Sequence, residues 1–285
     1  MDDSLPLGLV PEDIDPIIER ALQEDLGEAG DITCSAVIPP DVRFMGVMAA
    51  REDIVVAGLP LAARVFARLS EDIAFLPEAD DGQMVSKGAV LARLEGPAGA
   101  LLSAERVALN LLQHLSGIAT ETRRYVEKIA GTGAVLLDTR KTIPGLRKVE
   151  KYATRMGGAS NHRMGLYDAI LIKDNHLAVS GSVHEAVRRA RAAGHEHIEV
   201  ECDTLEQVRQ AVQAGADRLL LDNMDPPMLR RALKIIDGRA RAEASGGVTL
   251  ETIRAIAATG VDFISVGRIT QSAPAVDIGL DWRRE

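Results

Sequence analysis

Cysteine occurs twice in 285 residues, at Cys34 and Cys202. Two thiols so far apart, with no CxxC pair, suggest neither a zinc site nor a disulfide framework, and such usage fits a reducing cytoplasm. Positive charge is also short: 33 Lys and Arg against 42 Asp and Glu leave a formal net charge of −9. Non-specific binding to nucleic acid or to an anionic membrane rests on Lys and Arg, so neither is expected. No apolar run approaches the ~20 residues that span a bilayer. The opening stretch, MDDSLPLGLVPEDID, lacks the basic and apolar segments of a secretory leader. The expectation is a cytoplasmic protein with ordinary globular composition, 46% apolar and 26% charged.

Two kinds of organisation follow one another along the chain. Asp15 and Pro16 read as the N-cap and first residue of a helix whose apolar face holds Ile17, Ile18, Ala21 and Leu22. From about Phe44 to Leu94 short β-like runs, FMGVMAA, IVVAG and VLARLE, are broken by Gly, Pro and acidic turns. SAERVALNLLQHLSGIAT, residues 103–120, is a long helix that links this part to the next. Beyond it AVLLD, AILIK, HIEVE, RLLLD, ARAEAS and DFISVG each precede a helical segment, the pattern of a parallel sheet.

Successive strand residues point to opposite faces, so the polar end of each run identifies an inward set. That set includes Asp138, Lys173, Glu199, Glu201, Asp222, Glu243, Ser245, Ser265 and Gly267, while Val135, Leu137, Ile170, Ile172, Ile198, Val200, Ile264 and Val266 face the helices. Six strands therefore deliver polar groups at their carboxyl ends, where β/α barrels build active sites. Six units imply a short or open barrel, with a doubly wound open sheet as the alternative; ligands bind at the same ends in both.

Against the acidic whole, Asp138 to Lys173 holds eight cations and three acids. Arg147, Lys148, Lys151 and Arg155 read as a solvated helix face opposite Leu146, Val149, Ala153 and Met156. Arg140 and Lys141 differ, because they follow a strand directly, and Lys173 ends one facing inward. A buried lysine requires an anionic ligand or a carboxylate nearby. Asn161, His162 and Arg163 follow a Gly pair in a loop free to fold over the same end. Glu201 and Asp222 are carboxylates suited to Mg²⁺ shared with substrate phosphates, or to a salt bridge with Lys173 or Arg140. His195 and His197 lie at the entering end of HIEVE, away from this region. ASGGVTLETI and SVGR supply turns whose backbone N–H groups suit a phosphate. A strand-end lysine also admits Schiff-base chemistry on phosphorylated sugars, and a non-catalytic sensor is a third reading.

Taken together, EDLGEAGDIT, SAERVALNLLQHLSGIAT, DTRKTIPGLRKVEKYA, NHRMGLYDAILIKDNH, EVECDTLEQ, LLLDNM, EASGGVTLETI and SAPAVDIGLD resemble the quinolinate phosphoribosyltransferase family over nearly the whole chain. A related pyrophosphorylase-like group associated with molybdenum transport shares the fold. The resemblance implies an α/β protein with an N-terminal α+β sandwich domain, residues 1–112, and an incomplete six-stranded β/α barrel, 113–271, with a tail of about 272–285 packing back on the sandwich. It implies a cytoplasmic homodimer that joins quinolinate to 5-phosphoribosyl 1-pyrophosphate with Mg²⁺, releasing pyrophosphate and CO₂ and forming nicotinate mononucleotide. Arg106, reaching in from the partner subunit, and Thr139, Arg140, Lys141, His162, Arg163 and Lys173 fall at substrate-binding positions. Glu201 and Asp222 fall where carboxylates face the ribose and the metal, and with Lys141 are the implied catalytic set. Ser245, Gly246, Gly247, Ser265 and Gly267 fall around the 5-phosphate. The chain departs from the family's usual pattern at Met156–Ser160 and at Gln271.

Overall fold

The computed structural model describes residues 8–283. The start of the stretch read for a leader, residues 1–7, and the last two residues of the tail lie outside them. In chain order the elements are α1 (Pro11–Leu26), α2 (Ile32–Val37), β1 (Arg43–Ala50), β2 (Ile54–Val55), α3 (Leu59–Leu69), β3 (Ala74–Pro77), β4 (Met84–Val85), β5 (Val90–Pro97) and α4 (Ala98–Ile129). There follow β6 (Val135–Leu137), α5 (Arg147–Gly157), β7 (Ile170–Ile172), α6 (Asp174–Ser180), α7 (Val183–Ala192), β8 (Ile198–Cys202), α8 (Leu205–Ala214) and β9 (Arg218–Asp222). The last are α9 (Pro226–Ile236), β10 (Arg241–Ser245), α10 (Ile253–Ala257), β11 (Phe263–Ser265), α11 (Arg268–Gln271) and β12 (Ile278–Arg283).

Two compact units share these elements. The first takes the chain up to Arg123, Thr142–Gly158 and the segment from Ile269; the second takes Arg124–Lys141 and Ala159–Arg268. In the first, β12, β1, β5 and β3 form an antiparallel sheet in that order, so the carboxyl-terminal strand pairs with β1. Its core gathers Ile14 and Ile18 of α1, Val65 and Phe66 of α3, Leu91 of β5 and Leu101, Leu112 and Leu115 of α4. The linking helix is longer than the sequence pattern predicts, 32 residues.

Two expectations are corrected here. Helix α1 begins at Pro11, with Pro16 inside it and Val10 as N-cap. Pro16, itself exposed, forfeits one backbone hydrogen bond, a loss offset by the burial of Ile14 and Ile18 on the helix's other face; Asp15 serves as an ion-pair partner of Arg64 and Arg68 rather than as a cap. The second correction concerns α5, whose Lys151 is only 1% exposed and whose Glu150 is fully buried. Glu150 accepts from His114 Nε2 at 2.9 Å and from the Ile143 N–H at 3.2 Å. Arg155 and Lys148 remain exposed, Lys148 pairing with Asp13. The apolar stripe is right, but α5 is covered on more sides than an amphipathic helix on a surface.

The second unit holds six parallel strands in the order β6, β11, β10, β9, β8, β7. Among the described residues β6 and β7 are its two edges, so the barrel stays open. Local signals explain the alternation with helices: Ser182, Thr204 and Asp225 cap α7, α8 and α9, and Thr204 and Gln207 close a reciprocal capping box. Ile198 and Val200 are buried, as strand alternation requires if their neighbours Glu199 and Glu201 point the other way.

Candidate active site

The second unit builds a cup from the carboxyl ends of its strands. Just past β6, Asp138 is fully buried and acts as an anchor. One carboxylate oxygen accepts the His162 N–H at 2.8 Å and the other accepts Asn161 Nδ2 at 2.6 Å. Ser160 forms an isolated parallel bridge with Leu137, which lays the loop from Ala159 onward along the sheet edge. Asp168 then accepts the N–H groups of Met164, at 2.6 Å, and Gly165, at 2.9 Å, while Arg163 Nη1 donates to the Ala169 carbonyl at 3.2 Å. These bonds bring His162 and Arg163 over the strand ends. Met156 and Gly157 belong to α5 and Gly158 is its left-handed C-cap, so most of the departure from the family pattern before Asn161 is a helix end and not part of the loop.

His162 sits above two buried glutamates. Its Nε2 is 3.3 Å from Glu199 Oε2 and 3.5 Å from Glu243 Oε1. Burial alone would lower the pKa of His162, but the carboxylates of Glu199 and Glu243 beside it outweigh burial and raise the value to about 9. Burial pushes Glu199 upward, with the Glu243 charge adding to it. For Glu243 burial works the same way, yet His162, the Ser265 hydroxyl and Arg218 outweigh it and hold this carboxylate below its ordinary range. Arg218 Nη1 lies 3.3 Å from Glu243 and its guanidinium stacks on Phe263, 4.2 Å from the ring centroid. The trio has the residue types of a metal site. Its surroundings oppose that use: in the neutral ring the Arg163 N–H donates to His162 Nδ1 at 2.7 Å and Nε2 carries the proton, while the charged ring carries a proton on both nitrogens and gives up that bond, so in either state Nε2 meets the carboxylates as a donor.

Around this floor the charges alternate. Lys173 pairs with Glu201, as one reading of the sequence anticipated, and remains 41% exposed at its side chain. Asp222, at the end of β9, is held above the ordinary carboxylate range by burial first and by Asp203 second, against the opposing pull of Lys173 and Lys141. Arg163 is held below the ordinary guanidinium range by burial and then by Arg140, with Glu199, Asp168 and Glu201 pulling the other way. Fields strong enough to shift a titration weaken with distance. Arg140, Lys141, His162, Arg163, Lys173, Glu201 and Asp222 are therefore gathered in one region.

The remaining predicted residues divide. Gly246 and Gly247, following Ser245, have φ of 87° and 60°, a left-handed pair that only glycine adopts without strain. Thr139 Oγ1 accepts the Lys141 N–H at 3.1 Å and so shapes the turn after β6. Gly267 is half-buried beyond β11, whereas Ser265 is buried with its hydroxyl turned to Glu243. Arg106 belongs to the first unit and is exposed on α4. His195 and His197 are exposed at the other end of β8. Sequence reasoning passed over Asp138 and Asn161 as anchors, and Glu199, Glu243 and Arg218 as the floor. Strand alternation marks both glutamates, since each lies two residues before a polar strand end.

Family models match the two parts of the chain: the quinolinate phosphoribosyl transferase N-terminal domain over residues 31–116 and its C-terminal domain over residues 118–281. The chain belongs to the quinolinate phosphoribosyltransferase family. Among similar curated proteins, the probable nicotinate-nucleotide pyrophosphorylase (carboxylating) of Bacillus subtilis is 47% identical over 267 residues, covering 93% of this chain and 92% of that protein. The mitochondrial quinolinate phosphoribosyltransferase (decarboxylating) 2 of Nicotiana glauca is 40% identical, covering 94% and 82%. Of solved structures, the nicotinate-nucleotide pyrophosphorylase of Francisella tularensis superposes with a TM-score of 0.93 at 38% identity, covering 99% of this chain and 98% of that one. No helix among the described residues is long and apolar enough to cross a membrane.

Proposed function

We propose that the cup of the second unit carries out the family's reaction, decarboxylating transfer of a phosphoribosyl group to quinolinate, with the residues gathered there in defined roles. The activity itself follows from membership: the chain is a phosphoribosyltransferase of NAD biosynthesis. The observation that supports the role assignment is the clustering of Arg140, Arg163, Lys173, Glu201 and Asp222 at the strand ends of an otherwise acidic protein. Quinolinate is a dicarboxylate and 5-phosphoribosyl 1-pyrophosphate is a polyanion, so a pocket for both needs cations of fixed geometry.

In this reading Arg140, Arg163 and Lys173 bind the carboxylates of quinolinate, His162 adds its charge to that pocket from between Glu199 and Glu243, and Lys141 binds the leaving pyrophosphate. The turns at Ser245–Gly247 and Gly267 present backbone N–H groups to the 5-phosphate. Ser265 supports that end through Glu243, and Thr139 shapes the Lys141 turn. Glu201 and Asp222 face the ribose and stabilise the positive charge that develops there as pyrophosphate departs. Lys173 exchanges Glu201 for a substrate carboxylate when quinolinate enters, which frees Glu201 for the sugar.

The same two carboxylates fit Mg²⁺. They are hard oxygen donors, and a pair of them matches an ion that keeps waters and takes its other ligands from substrate phosphates. When bound, the ion neutralises charge on the pyrophosphate. Attack by the ring nitrogen makes a quaternised pyridinium; loss of CO₂ then leaves an electron pair on C2, stabilised by the adjacent cationic nitrogen and quenched by a proton from water. No protein base is required for that step. Lys173, ion-paired and flanked by acids, favours anion binding over Schiff-base chemistry.

The working enzyme is a cytoplasmic homodimer in which Arg106 of one protomer completes the pocket of the other. The test is an assay with both substrates. CO₂ and nicotinate mononucleotide form only when quinolinate, 5-phosphoribosyl 1-pyrophosphate and Mg²⁺ are all present; a folded protein that releases no CO₂ under those conditions overturns the reading.

A further inference from the structure

Asn223 is one of two non-glycine residues with positive φ among the described residues. The other, Asp237, is the C-cap of α9, a place where left-handed backbone is ordinary. Asn223, at φ 54°, ends no helix: it lies between the last residue of β9 and the α9 N-cap, Asp225. Left-handed backbone in a residue with a side chain persists only where the surroundings hold it.

Three atoms of Asn223 do that holding. Its N–H donates to the Ser245 carbonyl at 2.9 Å, carrying the β9–β10 ladder one step past Asp222. Its Nδ2 donates to Asp222 Oδ2 at 2.5 Å. The rest of its amide fills the space above Gly246, where an added Cβ would lie 2.6 Å from Asn223 Cγ and 2.9 Å from its backbone N. One residue thus touches the carboxylate at the end of β9 and the glycine turn at the end of β10.

We propose that Asn223 is a positioning residue that locks Asp222 and the Ser245–Gly247 turn into one unit, so that the carboxylate beneath the sugar and the cradle for its 5-phosphate keep a fixed separation. The inference rests on the proposed roles of those two groups. An amide is the suitable tether: it fixes the carboxylate through one oxygen yet brings no positive charge, so Asp222 keeps its full charge for the sugar and for the cation. A lysine in the same place would orient Asp222 and also neutralise it. Gly246 is then explained twice, by its own φ of 87° and by the amide above it.

Asn223→Gly is the informative variant, because glycine keeps the left-handed backbone and the N–H to Ser245 while removing the amide. Three readouts are taken on the full chain: calorimetric binding of nicotinate mononucleotide, calorimetric binding of quinolinate alone, and steady-state kinetics. Losing the tether weakens nicotinate mononucleotide, which spans ribose and 5-phosphate, by about 10-fold, or about 1.4 kcal/mol. Quinolinate binding stays within about 2-fold of wild type, because its pocket does not include Asn223. Both kcat and the KM for 5-phosphoribosyl 1-pyrophosphate worsen. Gly246→Ala supplies a second line: its harm is smaller in the Asn223→Gly background than in wild type, since the colliding amide is gone. Equal affinities and kinetics for Asn223→Gly and wild type, or strictly additive effects of the two substitutions, overturn the inference. A wild-type protein that makes no product overturns the functional reading instead.

Discussion

Lys173 and Glu201 hold each other across adjacent strand ends, so removing the lysine does more than delete one cation: in the proposed pocket it leaves an uncompensated carboxylate facing an incoming dicarboxylate. A hydrogen bond to a charged group contributes about 1.5–3 kcal/mol, so Lys173→Ala is expected to weaken quinolinate binding at least ~10-fold. Arg140→Ala is expected to weaken it comparably, with circular dichroism and melting unchanged. Calorimetry checks both; unchanged affinity in the two variants shows that the dicarboxylate binds elsewhere. His162 gives a pH-dependent counterpart. Its pKa is raised from 6.5 to about 9 in the folded protein. The stabilisation from its charge is therefore complete below 6.5 and disappears as pH rises through about 9, amounting to no more than about 3 kcal/mol. The groups facing it are Glu199, Glu243, Asp138, Arg163 and Arg218 through Glu243. The stability gap between wild type and His162→Gln, followed by thermal melts from pH 6 to 9.5, is expected to narrow as pH rises; a constant gap would mean that the ring stays neutral throughout.

At the scale of elements, α4 shows propensity and packing in opposition. Gly117 lies inside a 32-residue helix, where alanine is favoured over glycine by about 1 kcal/mol on intrinsic grounds. A Cβ there would run into the carbonyl of Pro274, whose carbon lies 3.0 Å away, with Ala275 Cα at 3.1 Å. Both neighbours are backbone and cannot rotate aside. Overpacking of this kind costs about 1–3 kcal/mol, so Gly117→Ala is expected to lower the melting temperature despite its better helix propensity. A raised melting temperature would show that the segment after α11 yields freely. The same opposition explains what could be read from the chain. Strands β6 to β11 were legible because period-two alternation is a local property, and so were the polar groups at their ends. The burial of Lys151 was not, because how many sides of α5 are covered depends on segments distant in sequence. Asn223 was nearly as hidden: asparagine tolerates left-handed backbone better than most residues, but nothing else in LLLDNM places one there.

For the whole molecule the decisive residue is Arg106, which is exposed on α4 and belongs to the unit that does not contain the cup. Under the proposed homodimer it serves the partner's pocket, so each site takes Arg106 from one chain and Lys173 from the other. Arg106→Ala and Lys173→Ala homodimers then each have two defective sites. In a heterodimer of the two, one site carries both defects and the other carries neither. Random exchange of equal amounts makes half the dimers mixed, each with one intact site of two, so activity is expected to return to about a quarter of wild type. Subunit exchange is driven by dilution or mild denaturant and checked by native mass spectrometry of tagged chains. Recovery that tracks the mixed dimer identifies a site shared between chains, whereas a mixed dimer as inactive as its parents means that Arg106 acts within its own chain.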